Sequence, residues 1–171
     1  MPSNRDALRK LTRQFPPPDE LRQTLKNLRN NDDVPTALIT ASILDGLLEK
    51  IIEKHFCVDD QNLNGRIFLN RGPLSDFDSK IILCEALGFI DSLISKELNM
   101  IKNIRNAFAH TRSHITFQHD LISKEMQTEM VVGIEKYAKM SNVEITPEHN
   151  KLTFVLWAGI MVHKLNDLLA H

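Results

Sequence analysis

The sequence predicts an all-α protein: a bundle of five to six helices preceded by a helical arm. Three observations predict it. Apolar residues recur at spacings of three and four along most of the chain. Ser, Asp, Asn, Pro and Gly fall where such helices would start and stop. No segment shows the alternation of a half-buried strand. The 171 residues are 42% hydrophobic and 25% charged with only six glycines, which suits one globular domain with its own core.

Residues 1–31 read as the arm and residues 32–171 as the domain. In the arm, Pro16-Pro17-Pro18 ends one short helix and opens another, with Asp19 and Glu20 favourably placed in its first turn. Asn31, Asp32 and Asp33 offer caps before Pro35, opening a long helix from about Val34 to Phe56. Its face of Leu38, Ala41, Leu44, Leu47, Leu48, Ile51, Ile52 and Phe56 marks it as a core helix. Between Cys57 and Gly72 the pattern decays into Asp, Asn and Gly, predicting a loop with one turn around Ile67-Phe68-Leu69. Gly72-Pro73-Leu74 turns the chain. Ser75 with Asp78 then starts a helix through Ile81, Cys84 and Leu87 that Gly88 stops. Asp91 or Ser92 caps the next, whose apolar face runs from Leu93 and Ile94 through Leu98, Ile101 and Ile104 to Phe108. The stretch from Thr111 to His119 is rich in β-branched residues and has no helical period, so it reads as an extended loop. Helix resumes from Leu121 to Met140. The last one takes Thr146 as cap and Pro147 as first residue, and is apolar on more than one side, as suits a central helix or one docked against a second chain.

Composition narrows the function classes. The formal net charge is −1, which gives no global push toward nucleic acid, although residues 1–30 hold seven Lys/Arg against three acids. That basic arm suits phosphate contact, or simply a solvated helix face. The N-terminus has no apolar signal-peptide core, and the run from Leu152 to Val162 is shorter than a bilayer requires. A cytoplasmic protein with reduced Cys57 and Cys84, both in apolar sequence surroundings, is the expectation. Glycine loops for phosphates, paired cysteines and serine elbows are missing from the sequence, so no cofactor is expected. His110, His114, His119 and Asp120, and separately His55, Cys57, Asp59 and Asp60, invite a metal, but the first group reads as solvated loop residues, the second is nonspecific, and no metal is expected.

The chemistry-bearing feature is Arg105-Asn106-Ala107-Phe108-Ala109-His110, at the end of a helix. Arg105 offers a rigid fork of donors for phosphate oxygens, and His110 can move a proton near neutral pH. At a helix C-terminus the macrodipole favours charged His110, which suits a general acid or a mere cap. Asn106 precedes His110 by four residues and reaches the same surface; Lys102, a turn earlier, adds charge to the same rim. Arg105 projects at the margin of the apolar face, where an arginine wants a carboxylate, and Asp45 of the first core helix is the predicted partner or co-lining residue. An ion pair that only orients two helices has the same pattern. Any RNA contact would come from Lys102, Arg105, Arg112 and the arm.

The Arg, polar residue, three spacers, His arrangement resembles the signature of the HEPN superfamily. Gly72-Pro73-Leu74-Ser75-Asp76-Phe77-Asp78-Ser79-Lys80, followed by Leu87-Gly88-Phe89-Ile90, resembles the mannitol operon repressor family, a branch of HEPN-like architecture. The likeness covers roughly residues 37–120. It implies a HEPN-like helical bundle that pairs as a homodimer, with both Arg/His motifs facing one cleft. In active members it implies metal-independent endoribonuclease chemistry, as in toxin, defence or RNA-processing proteins, in which a 2′-hydroxyl attacks the adjacent phosphate. Arg105 would then be the phosphate clamp, His110 the proton-transfer group and Asn106 a substrate contact, with Asp45 and Lys102 supporting them. The repressor branch implies instead a noncatalytic transcriptional regulator. Since the sequence carries no DNA-reading helix-turn-helix signature, such a regulator would act through a protein or nucleic-acid partner.

Overall fold

The computed structural model describes residues 15–57, 60–69, 71–129 and 147–170, all helix, turn and loop. Seven α-helices are present among the described residues: α1 Pro18–Leu28, α2 Asp33–Lys54, α3 Gln61–Phe68, α4 Phe77–Ala86, α5 Ser92–His110, α6 Asp120–Glu129 and α7 Asn150–Ala170, the last entered through a 3-10 turn at Pro147–His149. The all-α class is therefore as the sequence predicts. Arg5, Arg9, Lys10, Arg13, Asp59, the stretch to Met140 and the expected cap Thr146 lie outside the described residues.

Helix α2 is the hub, packing against α1, α4, α5 and α7. Its Leu44, Leu47, Leu48, Ile51 and Ile52 are almost wholly buried, burial worth about 1.5–3 kcal/mol for each large side chain. The first turn is held by Thr36, whose hydroxyl donates to the carbonyl oxygens of Asp32 at 2.7 Å and Leu28 at 3.0 Å. Asp32 is the N-cap residue but makes no side-chain cap bond. Asp33 instead reaches across the bundle: it pairs with Lys151 at 3.1 Å and accepts the Phe117 N–H at 3.0 Å. At the far end Lys54 Nζ donates to the carbonyl oxygens of Leu168 at 3.4 Å and Leu169 at 3.1 Å. These two ties fix α2 and α7 as parallel neighbours, and Lys54 supplies positive charge where α7 leaves its carbonyls open.

Helix α7 is long and apolar enough to cross a membrane by length and composition. In this fold it is the core partner of α2, with Phe154, Trp157, Ala158, Met161 and Leu165 buried. On another flank it meets α1, whose Leu21, Leu25 and Leu28 enter the same core.

Two boundaries differ from expectation. The segment after Cys57 holds a two-turn helix, α3, because the Asp60 carboxylate accepts the N–H groups of Asn62 and Leu63 and so overcomes weak helix formers such as Asn and Gly65. Helix α4 is capped by Asp76 rather than Ser75: its carboxylate accepts both the N–H and the hydroxyl of Ser79 at 2.9 and 2.8 Å, and these bonds hold its pKa below the ordinary carboxylate value. Between them the Gly72-Pro73-Leu74 turn closes α3, with Leu74 N–H donating to the Ile67 carbonyl at 3.0 Å. A β-carbon at Gly72 would run into the backbone carbonyls of Ile67 and Arg66. Gly88, at φ +73°, then ends α4 in the left-handed conformation that glycine adopts without strain.

Candidate functional site

Asp91 starts α5 by accepting the Ile94 N–H at 2.8 Å, and the helix runs without interruption to His110. Thr111 turns extended, and the loop beyond it is anchored at Phe117. There the backbone N–H goes to Asp33, the carbonyl accepts Asn150 Nδ2 at 2.9 Å, and the ring packs between Phe108 and Phe154 at centroid distances of 4.8 and 4.9 Å. A rigid base therefore supports the helix end and the loop that carries Arg112 and His114.

Helix α4 lies antiparallel to α5, since Glu85 accepts from Ser95 Oγ at 2.6 Å and Asp78 pairs with Lys102. Because α4 begins at Phe77, it covers α5 only up to about the level of Lys102. Arg105 projects one turn beyond and is exposed. This corrects the expected partnership with Asp45. Asp45 instead accepts from Lys80 Nζ at 2.8 Å, and Glu49 from the same nitrogen at 3.1 Å. Lys80 sits three residues after Phe77 and four before Cys84, in the middle of the α4 face that meets α2, so it reaches those acids first. Its side chain is only 3% exposed and stands 5.8 Å from the Phe68 ring centre. Lys102 is likewise not a free cation on the rim, because it is held by Asp78 and by Asn99 Oδ1.

Arg105 Nη1 donates to Asn106 Oδ1 at 2.8 Å. On an ideal helix Arg105 and His110 stand about 140° apart, while Asn106 lies only about 40° from His110 and roughly 6 Å below it. The bond to Asn106 thus draws the guanidinium around toward the His110 side. Arg105 and His110 are exposed and Asn106 is half-buried. A groove of about 420 Å³ opens between α5 and α6, bounded by Asn103, Ala107, Thr111 and His119 among others, and its lining does not include Arg105, Asn106 or His110. Arg112 and His114 are exposed in the adjoining loop. His119 Nδ1 accepts the Leu121 N–H at 3.3 Å, so this ring serves α6 as a cap. Among the described residues no three His, Cys, Asp or Glu side chains form a group able to hold a metal. The surface can recognise an anion through the guanidinium, an amide and an imidazole, while open to water on every side that this chain does not cover.

Burial identifies a second group that the sequence reading passed over. Glu97 of α5 is 1% exposed, and neither carboxylate oxygen has a hydrogen-bond partner. Lys164 Nζ of α7 stands 3.9 Å away and 5.9 Å from the Trp157 ring centre. Desolvation raises the Glu97 pKa to about 7, against the opposing pull of Lys164 and with a smaller push from Asp91. The signal was in the sequence: Glu97 falls three residues after Ile94 and four before Ile101, inside the apolar stripe. Cys84 is wholly buried, which lifts its thiol pKa to about 11, whereas Cys57 is exposed, contrary to the apolar setting its sequence neighbours suggested. His55 also leaves the metal reading: its ring stacks on Phe89 at 4.0 Å, and Nδ1 lies 2.8 Å from the Ile51 carbonyl oxygen.

No protein-family model matches the chain, and no curated protein matches it. Among solved structures the fold is similar to that of a possible transcriptional regulator, YggD, from Shigella flexneri 2a, with a TM-score of 0.61 and 14% identical residues over 84% of this chain and 95% of that one. At that identity the likeness is one of fold.

Proposed function

We propose that this protein is a noncatalytic regulator of transcription, resembling the mannitol operon repressor family, that acts in the cytoplasm through a partner. The observation that carries the reading is the extent of the fold likeness to a possible transcriptional regulator, 84% of this chain and 95% of the other. The end of α5 is compatible with it. General acid–base catalysis gains most in a site that excludes water, and Arg105 and His110 are both exposed. A guanidinium braced by an amide, as Arg105 is by Asn106, suits recognition of a carboxylate or phosphate without proton transfer.

One observation favours a second reading, a homodimeric HEPN-type endoribonuclease that needs no metal: the Arg105–Asn106 bond turns the guanidinium toward His110. In that reading a second copy would cover both motifs and exclude the water that one copy admits, and Arg105 would steady the phosphate while His110 moves the proton.

One experiment separates them. Purified wild-type protein and His110→Ala are incubated with mixed-sequence RNA in EDTA. The regulator reading expects no cleavage by either. EDTA-resistant cleavage that the substitution abolishes would overturn it in favour of the nuclease.

A further inference from the structure

Helices α1 and α7 leave between them a groove of about 600 Å³ that shares no residue with the end of α5. Its α1 wall carries Arg22, Lys26 and Arg29, spaced by four and three residues, so the cations form one stripe about 10 Å long. All three are exposed, and none has an ion pair or side-chain hydrogen bond among the described residues. Across from them Asp167 is the one acid lining the groove, and it already faces His163 at 3.5 Å. The floor has different chemistry. Leu25 and Val162 line it, Leu156 is 37% exposed there, and Gly159 leaves open space where a side chain would stand.

We propose that this groove docks an acidic amphipathic helix of a partner protein. Carboxylates repeating by four and three residues on a helix match the 10 Å stripe, and aliphatic side chains on the adjoining face enter the cleft over Gly159. A nucleic-acid backbone would satisfy the cations but leave Leu156 and the gap over Gly159 against water, so the mixed lining favours a peptide. The inference goes beyond the regulatory reading and does not depend on His110.

The probe is a fluorescein-labelled synthetic helix with Glu at i, i+4 and i+7 beside a leucine face, titrated with the full chain by fluorescence anisotropy. Saturable binding is expected. It should weaken by about tenfold or more with R22E/K26E/R29E, and equally with Gly159→Phe, which fills the cleft without changing charge. Circular-dichroism melts check that both variants fold; the charge changes are at exposed positions and Gly159 has room. A peptide with Lys in place of Glu, and a DNA duplex, should each bind at least about tenfold more weakly. No saturable binding of the acidic peptide, binding indifferent to both variants, or tighter binding of the duplex would each overturn the proposal. None of these outcomes bears on RNA cleavage.

Discussion

Glu97→Gln should make the protein more stable at pH 8 and change it far less at pH 5. The carboxyl is buried with Lys164 of α7 3.9 Å away, its oxygens lack hydrogen bonds, and its pKa stands near 7 against an ordinary value of 4.5. In the unfolded chain the group loses its proton near 4.5, whereas in the folded state it keeps it to about 7. Between those values folding takes up a proton, so the contribution of Glu97 to stability is fully present below about 4.5 and is lost as pH rises through 7. At about 1.4 kcal/mol per pH unit the loss is about 3 kcal/mol. A glutamine resembles the protonated acid in size and polarity but cannot ionise, so it should recover that amount at pH 8, a rise of about 6–12 °C in Tm for a domain of this size. Urea denaturation followed by the fluorescence of Trp157, the single tryptophan, gives the free energy, and thermal melts at the same pH give the Tm. Lys164→Met supplies the companion test: removing the cation 3.9 Å away should move the loss to higher pH. Equal stability of wild type and Glu97→Gln at pH 8, or a gain as large at pH 5 as at pH 8, would refute the reasoning.

Asp33→Ala removes the acceptor for the Phe117 N–H and the partner of Lys151, and should cost about 1–3 kcal/mol while raising hydrogen exchange across residues 111–119; unchanged exchange there would disprove the anchoring role. Gly72→Ala should destabilise more than Gly88→Ala, because the first meets backbone carbonyls that cannot move aside while the second incurs only a left-handed backbone cost of about 1–2 kcal/mol in open space, as paired urea titrations would read. A colorimetric thiol reagent should titrate Cys57 in the native protein and reach Cys84 only in denaturant, so two fast native thiols would contradict the burial of Cys84.

Helix class and most boundaries were legible because they are local. Asp91, Gly88 and the apolar stripes act within a few residues of themselves. Helix α3 was missed because its cause is a single capping carboxylate, Asp60, working against poor propensity. The Asp45–Arg105 pairing failed for another reason. A helical projection gives the direction of a side chain but not where the covering helix ends, and α4 begins too late to enclose Arg105. Lys80 and Glu97 were each visible as a charge inside an apolar stripe, the pattern that attaches a residue to the core. Those two positions reward the rule that a charge in the stripe is sought out before a motif at the helix end.

The same accounting of covered and uncovered charge separates the two surfaces left open. Lys80 and Lys102 face carboxylates of neighbouring helices, so the bundle neutralises the cations that its packing draws inward. Arg105 lies past the start of α4, and the stripe of Arg22, Lys26 and Arg29 lies along an edge of α7 that offers a single acid. Neither set meets a carboxylate partner among the described residues, yet their settings differ. Around Arg105 stand an amide and an imidazole, groups that hydrogen-bond to an anion's oxygens. Beneath the α1 stripe lie Leu156 and the gap at Gly159, which an anion alone would leave wet. A ligand that is only charged fits the first surface, and one that is charged along one edge and apolar along the other fits the second. Charge reversal at Arg22, Lys26 and Arg29 and substitution at Arg105 should therefore perturb different binding events, and a single partner lost to both changes would show that the two surfaces act as one.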